Sequence, residues 1–247
     1  MASLTKHIKA SKQPADGYIP VSAFTYKKHN SYTVADLYKN ENIILPAVQY
    51  ILQMYISENV DKNLLMIETA LRNAPFTNKN ELIKQFYNGI ASKNPIASAE
   101  YAVKLANIEV MFRLVTLPDK AEPDIQILES VSLMSERCKD FFGRSVKLCG
   151  FDFEGGYSER ITSGNGGYLT NDTLWIITVS DSVTSYDTLL VSVQYIMGLH
   201  SYISPYFKKL KRLGIYNPRL DAEYTLNICD IPKKVIQEIS KHIIQYS

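Results

Sequence analysis

Cysteine is scarce in this chain. Its three cysteines, Cys138, Cys149 and Cys229, are widely spaced and form no C-x-x-C pair. This spacing excludes the framework of a disulfide-rich domain and gives no thiolate zinc site. Unpaired cysteines of this kind are typical of buried free thiols.

A long hydrophobic run is also missing. The longest candidate, residues 43–56, contains Pro46 and two glutamines. It is shorter than the run of about 20 apolar residues that spans a bilayer. The first 18 residues are polar and basic, without the apolar centre of a secretion signal. We therefore expect no membrane partner and a cytoplasmic location.

A strong net charge is absent as well. The 27 Lys and Arg residues nearly balance the 25 Asp and Glu residues, for a formal charge of +2. The whole molecule therefore does not attract polyanions strongly. Positive charge is local instead, in residues 1–30 and again in residues 208–212. With 46% hydrophobic and 21% charged residues, the chain has the composition of a folded protein.

The first half of the chain is rich in helical signals. It begins with a lead-in over residues 1–32 that contains prolines and a glycine and has no sustained period. Caps and apolar spacing then predict helices over residues 33–39, 45–57, 61–72, 77–90 and 99–114. We place Pro46 in the first turn of the second of these helices. A further helix starts at Ile125, after a polar break at residues 118–124, and ends at a Gly143 cap.

The pattern changes after Gly143. Short runs of β-branched and aromatic residues predict strands over residues 146–153, 157–162, 174–179, 213–216 and 224–228. We also expect helices over residues 184–199 and 232–244. This order predicts an α/β (α+β) fold, in which a mixed sheet carries helices on its faces. We expect an N-terminal arm and helical region over residues 1–120 and an α/β core over residues 121–247, either as subdomains or as one compact domain.

Residues 163–180, SGNGGYLTNDTLWIITVS, join a glycine-rich turn to a β-rich stretch. No Gly-Lys-Ser/Thr follows the glycines, so they do not form a P-loop. The segment resembles a family of phage- and mobile-element-associated proteins with the PD-(D/E)XK nuclease fold. The resemblance extends over about the C-terminal half, through ESVSLMSERCKDFFG (residues 129–143), VQYIMGLHS (193–201) and LGIYNPRLDAEYTLNICDI (213–231).

The resemblance implies where a nuclease would carry its catalytic groups. Phosphodiester hydrolysis needs divalent cations, and Mg²⁺ is held by oxygen ligands such as carboxylates. The family's two Asp, its D-x-K motif and its helical Gln fall, in that order, on Asn165 and Gly167, on Ile176 and Thr178, and on Leu190. Every one of these polar positions is changed. The resemblance therefore implies a nuclease fold with no catalytic residue and no cofactor at this site.

Other acids lie nearby in the sequence, and a metal site could have moved to them. The candidates for a relocated Mg²⁺ or Mn²⁺ site are Asp152, Glu154 and Asp172. Acids at strand ends are more often solvated surface charge. Asp172 is also well suited to close a turn, because Asp readily accepts hydrogen bonds from the backbone two residues ahead.

Basic side chains predict a nucleic-acid-binding surface. Lys and Arg bind phosphate, and tyrosines among lysines make stacking platforms for single strands. Tyr26 beside Lys27 and Lys28 is the best local example of the second pattern. The candidates in and after the second basic cluster are Lys208, Lys209, Lys211, Arg212 and Arg219. Because the resemblance includes the turn that holds Arg219, a structural role for this residue is equally consistent with the sequence.

These residues support three hypotheses. The leading one is a catalytically inactive, nuclease-like protein of prophage or mobile-element type that acts by binding nucleic acid or a protein partner. One alternative is an active metal-dependent nuclease with relocated carboxylates. The other is a protein-directed inhibitor in phage-host defence. DNA, RNA and protein stay open as partners, and so does the oligomeric state.

Overall fold

The structure is a computed structural model that describes residues 2–34, 41–56, 67–68, 70–71, 77–114 and 123–246. Its contacts divide the chain into a sheet unit, Met1–Tyr32 with Ser145–Ser247, and a helical unit, Thr33–Arg144. The N-terminal arm therefore belongs with the C-terminal strands, whereas the sequence pattern grouped it with the helices up to residue 120. The mixed α/β class that the sequence predicts is confirmed.

The elements are labelled in chain order. The helices are α1 (Leu4–Ala10), α2 (Glu41–Ile56), α3 (Lys79–Ile90), α4 (Pro95–Leu114), α5 (Ile125–Phe142), α6 (Ser185–His200), α7 (Ser204–Phe207) and α8 (Lys233–Ile239). The strands are β1 (Ala2–Ser3), β2 (Thr25–Lys28), β3 (Leu148–Cys149), β4 (Ile161–Ser163), β5 (Tyr168–Leu169), β6 (Thr173–Ile177), β7 (Arg212–Asn217) and β8 (Ala222–Asn227). Among the described residues, no helix has both the length and the apolar character needed to cross a membrane.

The helical unit packs α2 against α4 and α5. Fully buried aliphatic side chains from these helices form its core, among them Ile44, Leu52, Leu105 and Val131. The prediction that Pro46 lies in a first helical turn is wrong, because α2 extends back to Glu41. Residues 33 and 34 of the helix predicted over residues 33–39 are not helical. The rest of that helix and most of the one predicted over residues 61–72 lie outside the described residues.

Helix α5 begins and ends where the sequence predicts. The carboxylate of Asp124 accepts a hydrogen bond from the backbone N–H of Gln126 at 3.0 Å and so caps the first turn. Gly143 follows the last residue with φ of 49°, a positive value that glycine adopts without strain. Leu128 and Val131, which share the predicted apolar face, are buried.

The sheet unit is built on a six-stranded sheet with the order β2-β8-β7-β6-β5-β3. β6 and β7 run parallel, and the other neighbours are antiparallel. A separate two-stranded pair joins β1 to β4 in parallel. The mixed sheet expected from the order of elements is therefore confirmed.

Five strands differ from the sequence prediction, and two of these, β1 and β5, have only two residues each and were not predicted. The strand predicted over residues 146–153 shortens to β3, because Gly150 leaves the extended region with φ of 59°. The strand predicted over residues 157–162 shortens to β4, because the Ser158 hydroxyl oxygen accepts N–H groups of Arg160 and Ile161 in a turn. β2 was not predicted, since its four residues are all exposed and show no apolar alternation. Pairing with β8 holds it in place.

The core of the sheet unit lies between the sheet and α6. Alternate side chains of a strand point to opposite faces. Leu174 and Ile176 of β6 accordingly join Leu213 and Ile215 of β7 in one cluster with apolar residues of α6. On the other face, Trp175 covers Gly214, where an added Cβ would lie 2.3 Å from the indole ring.

Candidate functional site

Gly167 lies where a metal-binding Asp would be expected from the resemblance, and it has no room for a side chain. A Cβ at this position would lie 2.0 Å from the carbonyl oxygen of Trp175. The backbone is also held on both sides. Its N–H donates to Oε1 of Gln194 at 2.9 Å, and its carbonyl accepts the N–H of Gly150 at 3.2 Å. The glycine is therefore required by packing.

The other positions implied by the resemblance have different environments. Ile176 lies beside Gly167 and is buried in the core of the sheet unit. Thr178 is buried, and Leu190 packs against the core from α6. Asn165 is exposed. The structure therefore brings Gly167 and Ile176 together, and neither side chain has an oxygen that could bind a cation.

Two buried polar residues of α6 were missed by the sequence analysis. Gln194 holds the glycine turn, because its side-chain oxygen accepts the Gly167 N–H. Asp187 accepts the backbone N–H of Thr184 at 2.8 Å and the Thr184 hydroxyl at 3.0 Å. Burial raises the pKa of Asp187, against hydrogen bonds from Thr184 and Thr178 that lower it. The Thr-x-x-Asp spacing at the helix start is a capping pattern and could have identified this residue.

Two of the three acids considered for a relocated metal site, Asp152 and Asp172, have other partners. The Asp152 carboxylate accepts the N–H of Glu154 at 2.9 Å, which closes a short turn. The Asp172 carboxylate accepts the Thr173 hydroxyl at 2.8 Å and lies 3.1 Å from the Arg212 guanidinium. Within the described ranges, no group of three or more His, Cys, Asp or Glu side chains is placed to hold a metal ion.

Asp172 has a lowered pKa for identifiable reasons. Partial burial alone would raise it, but hydrogen bonds from Thr173 and Arg212 and the positive charges of Arg212 and Lys211 outweigh that effect. The Asp172 carbonyl also accepts the N–H groups of Lys211, at 2.7 Å, and Arg212, at 3.0 Å. The residue therefore ties the β5–β6 turn to the segment that leads into β7.

A shallow cleft of about 160 Å³ opens beside this turn. It is lined by Lys147, Leu169, Thr170, Asn171, Tyr206, Lys209 and Leu210. We call this feature, with the neighbouring Lys208 and Lys211, the lysine cleft. All four lysines are exposed, and in the part of the chain that the structure describes no carboxylate is within ion-pair distance of any of them.

The other predicted basic residues are placed differently. Arg212 is half-buried against Asp172. Arg219 is only 4% exposed, so its guanidinium does not contribute to an exposed basic edge. Its backbone N–H donates to the side-chain oxygen of Asn217 at 3.0 Å. Lys27 and Lys28 lie on β2, at the opposite edge of the sheet from β3. The predicted binding residues therefore fall on two separate surfaces.

Two exposed tyrosines lie at the helix α7, Tyr206 within it and Tyr202 just before it. Tyr206 is 51% exposed and lines the lysine cleft. Tyr202 is 76% exposed, and its ring lies over Gly155, where an added Cβ would be 3.0 Å away. Tyr206 and Lys147 were not predicted from the sequence. The short distance in sequence between Tyr206 and the basic run at residues 208–212 was the available signal for the first, whereas Lys147 reaches the cleft only through the fold.

Comparisons with protein-family models, with curated proteins and with solved structures find no match for this chain. The resemblance to PD-(D/E)XK proteins therefore stays an expectation from the residue pattern. The structure adds an observation about one part of the sheet unit. A glycine turn closed to side chains lies on the same sheet as a cleft surrounded by exposed lysines and a tyrosine.

Proposed function

We propose that the chain binds nucleic acid through the lysine cleft and does not cut it, as a catalytically inactive nuclease-like protein of prophage or mobile-element type. The observation that carries the proposal is the grouping of exposed lysines without carboxylate partners around one cleft. Lysine contacts with phosphate supply most of the affinity in binding that does not depend on base sequence. Such a surface can bind nucleic acid even though the net charge of the chain is only +2.

The acid closest to the cleft in sequence supports this proposal. Asp172 follows Asn171, which lines the cleft, and an unpaired carboxylate there would repel phosphate. Its charge is balanced by Arg212 at 3.1 Å. The potential around the cleft is therefore set by the lysines.

Side-chain chemistry supports the proposal that the chain does not cut nucleic acid. Metal-assisted hydrolysis of a phosphodiester needs carboxylates that converge on the cation. Gly167 has no space for one, and Ile176 is an apolar core residue. We therefore expect binding without strand scission in the presence of Mg²⁺ or Mn²⁺.

Fluorescence anisotropy with labelled DNA and RNA, at about 50 mM and about 200 mM salt, tests the proposal. For a single strand, the slope of log affinity against log salt is about −0.7 for each phosphate contact. The double variant Lys208→Gln/Lys209→Gln should bind more weakly and reduce the magnitude of this slope by about 1.4. The matched control, Lys27→Gln/Lys28→Gln, loses the same charge on the other surface and should retain wild-type affinity. Equal losses in both variants would contradict the proposed site.

The same samples test the two alternatives. Cleavage with Mg²⁺ or Mn²⁺ that disappears in Asp152→Ala or Asp172→Ala would establish a nuclease with relocated carboxylates. A protein that binds no nucleic acid at either salt concentration would favour a protein-directed inhibitor. Either result would replace the proposal.

A further inference from the structure

We infer that the lysine cleft selects single-stranded nucleic acid, with the ring of Tyr206 stacked on an unpaired base and the lysines on the flanking phosphates. The inference rests on the proposed function and specifies its substrate class. Base–aromatic stacking beside a positively charged groove is a general means of binding single strands without reading their sequence.

The first support is the way in which α7 presents Tyr206. The next residue, Phe207, is fully buried, with its ring centroid 5.7 Å from that of Phe151 and 6.5 Å from that of Phe153. It also fills the space beside Gly198, where an added Cβ would lie 2.1 Å from the ring. This anchor fixes the short helix to the core, so Tyr206 is held on a rigid base while half of its surface stays exposed.

The second support is the position of the charges relative to the ring. The N–H of Lys208 donates to the Ser204 carbonyl at 3.0 Å, and that of Lys209 donates to the Tyr206 carbonyl at 3.2 Å. Ring and charges therefore belong to one hydrogen-bonded turn. The backbone N–H of Lys211 donates to the Asp172 carbonyl, which fixes the position of this lysine as well. A strand that stacks one base on Tyr206 would have its phosphates close to several ammonium groups.

The third support is the size of the cleft. Its volume of about 160 Å³ is below the range of about 300–1,000 Å³ that is usual for small-molecule pockets. The space suits one planar ring. A duplex covers the faces of its bases by stacking them on each other, so it would offer this surface phosphates alone. Tyr206 gains a partner only when a base is unpaired.

Two other exposed tyrosines, Tyr202 and Tyr26, lack this combination. Tyr202 lies beside Gly155, in the segment that carries the exposed carboxylates of Asp152 and Glu154. Tyr26 packs on Tyr224 with ring centroids 5.1 Å apart, and the adjacent Lys27 is paired with Glu223. Among the described tyrosines, we therefore assign stacking to Tyr206.

Anisotropy titrations with four oligomers of equal length test the assignment. The oligomers are an oligothymidylate, an oligouridylate, a DNA duplex and an abasic strand that has phosphates and sugars but no bases. We expect either single strand to bind more tightly than the duplex, and Tyr206→Ala to weaken single-strand binding about 5- to 150-fold. Tyr206→Phe keeps the ring and should bind like the wild type. The abasic strand should bind wild type and Tyr206→Ala equally.

Tyr55→Ala is the matched control, because Tyr55 is also 51% exposed but lies on α2 of the helical unit. It should leave every affinity unchanged. Thermal melts establish that each variant is folded. If the duplex binds as tightly as the single strands and Tyr206→Ala has no effect, the single-strand inference is wrong while the proposed function stands. If none of the oligomers binds, both are wrong.

Discussion

Nη2 of Arg212 lies 3.1 Å and 3.2 Å from the two carboxylate oxygens of Asp172. The carbonyl of the same aspartate holds the backbone N–H groups of Lys211 and Arg212. This pair thus joins the β5–β6 turn to the start of β7 and neutralises a carboxylate beside the lysine cleft. Loss of the Asp172–Arg212 pair should therefore affect both the stability of the fold and the binding of nucleic acid.

We expect Asp172→Asn to lower the free energy of unfolding at pH 7 by about 0.2–1 kcal/mol, the usual range for a solvent-exposed ion pair. Because the folded-state pKa of Asp172 is lowered, its stabilisation is present above the unfolded pKa of about 3.9 and is lost as pH falls through the folded value. Urea unfolding at pH 7 and at about pH 3 should therefore show a gap between wild type and variant that narrows in acid. Glu159→Gln, which removes an exposed acid, is the control. A gap that does not depend on pH would contradict the prediction.

Asp187 should produce the opposite pH dependence. Burial raises its folded-state pKa, so its contribution to stability is fully present below the unfolded pKa of about 3.9 and is lost as pH rises through the folded value. Relative to Asp187→Asn, which does not titrate, the wild type should gain stability as pH falls from 7 towards 4. Asp187→Ala leaves the N–H of Thr184 without its acceptor and should cost about 0.5–2 kcal/mol, the range for losing a helix-capping contact. Chemical unfolding over this pH range measures both effects, and a wild type that loses stability relative to Asp187→Asn would show that the sign is wrong.

Gly167→Asp restores the carboxylate that the family resemblance would place here, and we expect it to damage the fold. Its Cβ would meet the Trp175 carbonyl at 2.0 Å, so the β5–β6 hairpin must shift, at a cost of about 1–3 kcal/mol or more. Asn165→Asp is the matched control, since residue 165 is exposed and a surface change of this kind is usually within about 0.5 kcal/mol. Thermal unfolding compares the two. A Gly167→Asp protein as stable as the wild type would show that the turn has room for a side chain.

Local chemistry explains which parts of the fold could be predicted. The Gly143 cap, the apolar face of α5 and the strands β6 to β8 follow from short-range patterns, and the structure confirms them within a few residues. β2 could not be found in this way. Its sequence, TYKK, has no apolar alternation because both of its faces are exposed, and only its hydrogen bonds with β8 define it as a strand.

The candidate site shows the same division. That Gly167 and Ile176 are neighbours could be predicted, because a tight hairpin places them across from each other. The acceptor for the Gly167 N–H could not, since Gln194 is 27 residues away on a helix that packs on the sheet. Lys147 likewise lines the same cleft as Tyr206 only because β3 pairs with β5. Contacts of this kind depend on the tertiary fold and leave no periodic signal in the sequence.

The pairing of β2 with β8 also constrains how the molecule is made. On the ribosome, β2 emerges before the entire helical unit, and its partner emerges only afterwards. Closing such a long loop is slow, because its entropy cost precedes the contacts that repay it. The helical unit can collapse during synthesis, whereas β2 cannot pair until β8 has been translated. The first strand of the six-stranded sheet to be translated is therefore among the last to be incorporated.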